Sequence, residues 1–468
     1  MDAATGDAAA KVLVLSSIFS TDRILLYSSF MDVATPAFDP VVWGHGPNDP
    51  SFFDPQQHDR YFSPWPAAVR TRHWIDKLRH LASFSWDFAI GAPSRHSAWA
   101  LTKRDTAAIS ERALHGVGRL IGRSKEPVWI DRTVGRIITR HGVSDALLRL
   151  LDQLEPRAVL ALCPFQPEQI YTVAAAQRLG IPTIAYITSF DNITTKGRLA
   201  IDYDAYAVWS EQMAVELRRH YPASRDRSVH VIGSPQYDVF RQPRFESERG
   251  AFADEFGLDA DRPIVVYCLG SPNIVQEDYG ALRFCERATA HDPRLRDAQV
   301  IVRPHPGFRE HGYSVLDEIR TRFPKVVVQG AHRHWTTAPY QNTTSIWEWV
   351  NTMRHADVVV NLASSVTIDA SVFDRPVVNL DFDPSPGASR TRLVHDINHV
   401  WEHFKPLAES SGVQLADGES QLVDAVSSYL DDPAKDREGR AWMVERVCGR
   451  VDGHAGARLA DLTASMVR

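Results

Sequence analysis

The feature that most constrains this chain is a repeated alternation of short apolar runs, rich in β-branched residues, with helical patterns. Such alternation is typical of βαβ units, in which helices join parallel strands and cover the sheet. The predicted strands form two series, 11–16, 158–163, 182–188, 205–209 and 229–232, and then 263–269, 299–303, 325–328, 357–361 and 376–380. We therefore predict an α/β protein with two parallel sheets.

The chain of 468 residues is too long for one ordinary core and suits two domains of roughly 200 residues each. Turn residues and a charged helical pattern interrupt the strand rhythm between 235 and 262. We predict an N-terminal domain over 1–240 with an irregular basic and aromatic insertion at about 45–150. The C-terminal domain is predicted over 241–468 and ends in helices. The predicted helices between strands are 167–179, 211–220, 279–289, 315–323, 346–354 and 366–373.

Composition and charge exclude several classes of protein. A hydrophobic fraction of 44% and a charged fraction of 24% are those of a globular chain. The formal net charge of −6 argues against a nucleic-acid-binding protein, which normally has a basic surplus.

Cysteine usage and the absence of an apolar span favour the cytoplasm. The four cysteines lack CxxC spacing, so we expect buried thiols in a reducing compartment, and neither secretion nor membrane insertion.

One local region departs from the acidic average. Between Arg70 and Arg140 there are 14 Lys or Arg residues and 6 Asp or Glu residues. Basic residues interleaved with large aromatic ones can bind anionic lipid headgroups or an anionic acceptor, which predicts peripheral contact with the inner face of the cell membrane. A solvated helical face over ordinary packed tryptophans is the other interpretation. The tryptophans in and near this region are Trp65, Trp74, Trp86, Trp99 and Trp129.

A hydroxyl-rich turn follows the predicted strand 357–361. Ser364 and Ser365 precede a helical pattern, and a helix N-terminus presents unpaired N–H groups and a partial positive charge that suit a phosphate. Asp369 follows one helical turn later and is predicted to accept hydrogen bonds from ribose hydroxyls. In the simpler interpretation, a serine is a plain N-cap and Asp369 is solvated.

Two further turns lie at the same predicted sheet edge. Arg303 and His305, in the sequence Arg-Pro-His-Pro, follow the strand 299–303 directly, and ligands of parallel sheets bind beyond the carboxyl ends of strands. The flanking prolines fix the backbone, and the imidazole can donate to a phosphate. Gly270 and Ser271 end the strand 263–269, although Gly-Ser-Pro-Asn is also ordinary turn chemistry.

An acidic residue follows a strand of the first series. Asp191 comes just after the run PTIAYIT and is predicted to act as a general base toward an acceptor hydroxyl. Asn192 would orient it, and Lys196 would keep it ionised. An Asx-turn is the alternative. The rival catalytic carboxylate is Asp22, beside Arg23 in the loop after the first strand, where an N-cap is equally consistent.

Taken in order, these motifs resemble the GT-B superfamily of nucleotide-sugar glycosyltransferases. Non-hydrolysing UDP-N-acetylglucosamine 2-epimerases and CDP-glycerol glycerophosphotransferases are related to that superfamily. The resemblance covers roughly 155–465, and its tail is similar to bacterial surface-carbohydrate transferases. It rests on 189–192 with 196–197, VIGSPQYD at 231–238, Arg-Pro-His-Pro at 303–306, Ser364 and Ser365 with Asp369, the segment from His399 to 406, and 429–440.

The resemblance implies two Rossmann-like domains facing each other across a cleft. The C-terminal domain would hold the donor phosphates near Ser364, Ser365 and His305 and the ribose near Asp369, while the N-terminal domain would hold the acceptor. His399 would lie elsewhere in the cleft. The nucleotide-sugar is a substrate, with UDP and CMP or CDP types both open, and no cofactor is implied. The sequence shows no cluster of carboxylates for a nucleotide-bound metal, so we expect no metal and stabilisation of the leaving phosphate by a helix N-terminus.

The predicted function is transfer of a sugar from the nucleotide donor to a hydroxyl of a glycan, lipid-linked or protein acceptor. An epimerase would show a Glu-Ala-Gly type motif where Ser189-Phe190-Asp191 stands, which makes epimerisation less expected. The alternatives are a CDP-glycerol-type polyol-phosphate transferase and a non-catalytic scaffold of the same fold.

Overall fold

The computed structural model describes residues 9–17, 19–44, 61–124, 126–271, 274–275, 278–305, 314–329, 343–385, 387 and 389–467, without the side chains of residues 19, 20 and 22. The N-terminal half contains a seven-stranded parallel sheet with the order β3-β2-β1-β4-β5-β6-β7. Its strands are β1 Lys11–Leu15, β2 Asp39–Trp43, β3 Phe62–Ser63, β4 Ala158–Ala161, β5 Thr183–Tyr186, β6 Ala205–Val208 and β7 Ser228–Val231.

The C-terminal half contains a six-stranded sheet with the order β10-β9-β8-β11-β12-β13, and its strand pairs are also parallel. The strand order reverses between β1 and β4 in the first sheet and between β8 and β11 in the second, which creates a crevice at each carboxyl edge. The strands are β8 Ile264–Cys268, β9 Gln299–Arg303, β10 Val327–Val328, β11 Val358–Asn361, β12 Val377–Leu380 and β13 Gln414–Ala416.

Helices cover both sheets, so the central strands are buried on both faces and read as continuous apolar runs. The four cysteines are buried and form no disulfide. The N-terminal helices are α1 Phe19–Tyr27, α2 Phe30–Ala37, α3 His73–Ile90, α4 Pro93–Ala98, α5 Ile109–Ile121, α6 Val128–Ile137, α7 Asp145–Leu154, α8 Pro167–Arg178, α9 Asn192–Thr195 and α10 Glu211–His220.

The second half continues the same pattern. Its helices are α11 Arg249–Phe256, α12 Tyr279–Thr289, α13 Ser314–Arg322, α14 Thr343–His355, α15 Ser365–Ser371, α16 Thr391–His399, α17 Lys405–Ala408, α18 Glu419–Asp431, α19 Arg437–Cys448 and α20 Ala455–Ser465. No helix in the described ranges combines the length and the apolar character needed to cross a bilayer.

In the region expected to be an irregular insertion, the residues that the structure describes, from 61 onward, are largely helical. Helices α3 to α7 lie between β3 and β4 in the chain, and α5 packs closely on α3. A Cβ atom on Gly118 would lie 2.5 Å from Cβ of Phe84, and one on Gly122 would lie 2.5 Å from Cβ of Phe88. These two glycines, four residues apart, therefore allow the close approach of α5 and α3.

The C-terminal half contacts the N-terminal half both where it begins and where it ends. Short 3₁₀ turns at Pro235–Arg241 and Pro243–Phe245 lead from the first sheet into α11. The last helix, α20, returns and packs on α2 of the N-terminal half. Asp238 fixes this return, because its carboxylate accepts hydrogen bonds from the backbone N–H groups at the start of α20, Ala455 at 3.0 Å and Gly456 at 2.9 Å. The division into 1–240 and 241–468 stays a prediction.

Candidate functional site

The carboxyl edges of the two sheets face each other. Tyr237, which follows β7, donates its hydroxyl hydrogen to Oδ1 of Asp369 in α15 at 2.9 Å. Thr194 follows β5, and its hydroxyl lies 2.9 Å from Nδ1 of His403 in the other half. Ligands of parallel sheets bind beyond these edges, so the contact between the halves marks the candidate site.

The start of α15 is built by the end of β11. Oγ of Ser364 accepts a hydrogen bond from the backbone N–H of Val366 at 3.3 Å, so this serine is an N-cap. The Ser364 hydroxyl also donates to Oδ1 of Asn361 at 2.9 Å, which fixes the turn. Ser365 is exposed. The arrangement therefore presents the Ser365 hydroxyl at a helix start that the Ser364 side chain already caps in part.

The turns after β8 and β9 lie on the same edge. A Cβ atom on Gly270 would lie 2.8 Å from Cδ2 of Leu362, so the β8 turn touches the β11 turn. Arg303 ends β9 and donates to Oε1 of the buried Gln329 at 2.9 Å. The structure thus brings Gly270, Arg303 and the α15 start to one sheet edge. Pro272, Asn273 and Pro306, which flank the predicted site residues, lie outside the described residues.

His305 is held after β9 in a partly exposed position. Desolvation by the surrounding protein lowers the pKa of its imidazole to about 4. The ring is therefore neutral near pH 7 and can take part in hydrogen bonds there without carrying a charge.

Asp369 has different surroundings from those expected of an open ribose site. It is buried, and its second oxygen, Oδ2, accepts a hydrogen bond from Nε1 of Trp349 at 3.0 Å. Burial raises the pKa of this carboxyl to about 6, against the hydrogen bonds from Tyr237 and Trp349 and the positive charges of Arg23 and Arg303. Asp369 therefore joins the two halves, and its predicted role at the ribose stays a prediction.

Arg23 reaches the same place from α1. Its guanidinium lies 4.6 Å from the centre of the Trp349 ring and donates to Oε1 of Gln236 at 2.8 Å. Burial lowers the pKa of Arg23, while the charge of Asp369 acts in the opposite direction. Arg23, Tyr237, Trp349 and Asp369 form what we call the Asp369 cluster. Asp22, the rival catalytic carboxylate, lies in α1, but its side chain is outside the described part of the chain.

Asp191 lies directly before α9 in a second polar group. Its carboxylate accepts hydrogen bonds from the hydroxyls of Ser189 and Thr195 and, at 3.3 Å, from the side-chain amide of Asn192. Burial acts to raise the pKa of Asp191, but His403, the Ser189 hydroxyl and the nearby charge of Lys196 outweigh it, and the pKa lies below the ordinary value. Asp191 is therefore ionised at neutral pH.

Packed aromatic rings separate this second group from the first. Ser189, Asp191, Thr195 and His403 form the Asp191 cluster. The ring of Phe190 lies 6.3 Å from that of Trp209, which lies 6.0 Å from that of Tyr237. The two predicted carboxylates are thus in neighbouring but distinct groups along the interdomain contact.

His399, the remaining predicted cleft residue, belongs to neither cluster. Nε2 of His399 lies 3.0 Å from Oδ2 of Asp381, which directly follows β12. His395 joins the same carboxylate. The spacing of the two histidines by four residues in one helical pattern could have indicated this group from the sequence. Trp349 carried no comparable signal, because only the fold brings it to Asp369.

Comparison with known proteins gives structural matches only. Neither a protein-family model nor a curated protein sequence matches the chain. Solved structures match over nearly its whole length. A putative UDP-N-acetylglucosamine 2-epimerase from Listeria monocytogenes has a TM-score of 0.54 and 10% identity, covering 97% of this chain and 95% of its own.

Two further structures have the same arrangement. The UDP-GlcNAc 2-epimerase from Neisseria meningitidis bound to UDP-GlcNAc has a TM-score of 0.50 and 12% identity, covering 97% of this chain and 99% of its own. A glycosyltransferase from Rickettsia africae has a TM-score of 0.50 and 7% identity, covering 98% of both chains. At these identities the likeness is one of fold, and the predicted fold is confirmed: this chain has the GT-B fold, with two Rossmann-like halves whose parallel sheets face each other.

Proposed function

We propose that this chain is a glycosyltransferase that moves a sugar from a nucleotide-activated donor to a hydroxyl acceptor in surface glycan, glycolipid or glycoprotein biosynthesis. The observation that carries the proposal is the group of turns at the carboxyl edge of the second sheet. There the α15 start, Ser365, Arg303 and His305 lie opposite the edge of the first sheet. Ligands of open parallel sheets bind at such a carboxyl edge.

The donor half of the proposal rests on electrostatics. Charge that develops on the departing phosphate would meet the exposed Ser365 hydroxyl, the Arg303 guanidinium and the neutral His305 ring, which are already in place. The Neisseria structure contains UDP-GlcNAc in the same fold, which supports a nucleotide-sugar as the ligand class. Asp369 would have to exchange Tyr237 or Trp349 for a ribose hydroxyl.

The acceptor half rests on the first sheet. Asp191 follows β5 at the facing edge and is ionised at neutral pH, as a general base must be. We propose Asp191 as that base, with Asn192 and Lys196 as its neighbours. Its three side-chain hydrogen bonds fix the orientation of the carboxylate, while its lowered pKa limits its basicity.

We also propose that α5 brings the protein to an anionic lipid surface, where a lipid-linked acceptor would be found. At about 100° per residue, Ile109, Val117 and Leu120 lie on the side of α5 opposite the two glycines that face α3. Their exposed fractions are 79%, 45% and 59%. Arg112 and Arg119 are exposed beside this apolar stripe. Apolar and basic side chains together are what binding to an anionic membrane surface requires.

A thermal-shift screen of UDP, CMP, CDP, GDP and dTDP compounds tests the nucleotide site. A ligand at about 100 times its dissociation constant stabilises the folded state by about 2.7 kcal/mol, so one nucleotide class should raise the melting temperature. A shift with CDP compounds and release of CMP on turnover would favour the polyol-phosphate transferase instead. No shift with any nucleotide would remove the proposal and leave a scaffold.

A further inference from the structure

Two histidines and a carboxylate meet outside both clusters. Asp381 directly follows β12, and His395 and His399 are four residues apart on α16. Nδ1 of His395 lies 3.1 Å and Nε2 of His399 lies 3.0 Å from the same oxygen, Oδ2 of Asp381. These three atoms all lie within 4.8 Å of one another, and the imidazole rings stack with their centres 4.2 Å apart.

The spacing is close to that of a metal site. Zinc binds imidazole nitrogens and carboxylate oxygens at about 2.0–2.2 Å, which places neighbouring ligand atoms of a tetrahedron about 3.3 Å apart. The two nitrogen–oxygen distances differ from this spacing by only a few tenths of an ångström. The two histidine nitrogens lie within 4.8 Å of each other, so a rotation of the imidazole side chains would bring all three atoms around one ion.

The carboxylate is also held in place by its neighbours. Nδ2 of Asn398 donates to Oδ1 of Asp381 at 3.0 Å and to the backbone carbonyl of Leu380 at 3.1 Å. Asn398 is fully buried. A bond to the second oxygen of a ligating carboxylate is a common device for orienting it toward a metal. The other oxygen of Asp381, Oδ2, faces the two histidines.

We propose that Asp381, His395 and His399 bind a divalent transition-metal ion of the Zn²⁺ class. Two imidazoles and one carboxylate suit Zn²⁺ or Co²⁺ better than Mg²⁺ or Ca²⁺, which prefer oxygen ligands. The side chains of His395 and His399 are 44% and 36% exposed and that of Asp381 is 12% exposed, so the site opens to solvent. Three protein ligands leave one position of a tetrahedral ion for water or another oxygen ligand.

This site departs from the expectation of no metal, which rested on a search for carboxylate clusters. Asp381 directly follows β12, the strand beside β11, so the ion would lie on the same sheet edge as the α15 start. It would add positive charge there. The assignment itself rests on the three side chains and does not depend on sugar transfer.

Metal binding to the untagged chain of 468 residues tests this proposal without any substrate. After treatment with EDTA and buffer exchange, we expect the protein to bind one Zn²⁺ per chain in a calorimetric titration confirmed by metal analysis. Co²⁺ should give the visible absorption bands of an ion with nitrogen ligands. The variant His395→Ala/His399→Ala should bind neither ion at this site.

The matched control is His230→Ala/His291→Ala. These histidines are exposed outside the site, and His291 pairs with Asp297 at 2.9 Å, so the control also removes a histidine that bonds a carboxylate. It should keep the full metal content. The proposal is overturned if the wild-type protein binds no ion, or if the site variant binds as much as the control. Should the double variant fail to fold, His399→Gln must lower the affinity for Zn²⁺ at least roughly tenfold, and an unchanged affinity would equally overturn the site.

Discussion

At the residue scale, the two carboxylates of the interdomain contact, one buried and one partly exposed, titrate in opposite directions. Burial dominates at Asp369 and raises its pKa to about 6, whereas charge and hydroxyl donors dominate at Asp191 and lower its pKa. The difference follows from their partners, since Asp191 has His403 and Lys196 beside it. The stability of the protein should therefore depend on the two residues at different pH.

We predict that Asp369→Asn removes a pH-dependent part of the stability. The folded pKa lies above that of an unfolded aspartate, so the folded protein holds more protons between about pH 4 and 6. This contribution is present at low pH and is lost as the pH rises through 6, by roughly 1.4 kcal/mol between pH 5 and 7.5. Urea unfolding of both proteins at the two pH values measures it.

Asp191→Asn is the control for that experiment. Its folded pKa is lowered, so its contribution is present above the unfolded pKa and is lost only as the pH falls further. Between pH 5 and 7.5, the free energy of unfolding should thus decrease by the same amount in the wild type and in Asp191→Asn. In Asp369→Asn it should decrease less. Equal slopes for Asp369→Asn and the wild type would contradict the burial of an ionisable carboxyl at this position.

The same Asp191→Asn variant tests the proposed base. The change preserves size but removes basicity, so sugar transfer should fall by on the order of 10²–10⁴ while donor binding stays close to normal. Steady-state kinetics and a donor titration separate the two effects. If Asp191→Asn keeps full turnover and Asp22→Asn abolishes it in a folded protein, the base lies in α1.

At the element scale, a strand or helix was predictable where its own residues carry the signal. All ten predicted strands are confirmed, and most of them are buried parallel strands, which are continuous apolar runs. The exposed edge strand β7 is an exception. The strands that were missed are β2, whose second residue is Pro40, and the very short β3 and β13. The turns of the site were predictable from serine, glycine and proline. Contacts such as Tyr237 with Asp369 were not, since they join residues far apart in the chain.

The α15 start should lose donor affinity when its hydroxyls are removed. A hydrogen bond to a charged phosphate contributes about 1.5–3 kcal/mol, so Ser364→Ala/Ser365→Ala and His305→Ala should each weaken nucleotide binding at least roughly tenfold. Ser371→Ala is the matched control, because its hydroxyl bonds the Thr367 carbonyl in the same helix. If both site variants bind the nucleotide as well as the wild type does when measured at low donor concentration, the nucleotide binds elsewhere.

The apolar stripe of α5 should bind anionic liposomes in a salt-dependent manner, since exposed charges are screened over about 8 Å at physiological ionic strength. Leu120→Asp should weaken this binding roughly tenfold or more, because a leucine side chain that becomes buried in the membrane surface contributes about 1.5–3 kcal/mol. Val215→Asp should not, although Val215 is also 59% exposed. Sedimentation with neutral and anionic vesicles measures both. Equal binding to the two vesicle types, or none to either, would remove the membrane proposal.

At the scale of the whole molecule, we propose that the donor binds on the second sheet and the acceptor on the first. The polar contacts of Arg23 and Thr194 with the other half hold the two carboxyl edges together. A GT-B fold of this kind is shared by epimerases and transferases, so the arrangement of the halves does not by itself choose the reaction. The reaction is identified by whether the sugar is transferred to an acceptor or stays attached to its nucleotide.

Sugar transfer is tested most directly with a nucleotide-sugar that is labelled in its sugar. The protein is incubated with this donor and with hydroxyl acceptors on vesicles that contain anionic lipid, and the position of the label is followed. The account predicts that a nucleoside diphosphate is released in step with the appearance of the sugar on the acceptor, and that both stop in Asp191→Asn. A sugar that changes configuration while it stays attached to its nucleotide, or a protein that binds a nucleotide-sugar and leaves it unchanged with every acceptor, would contradict it.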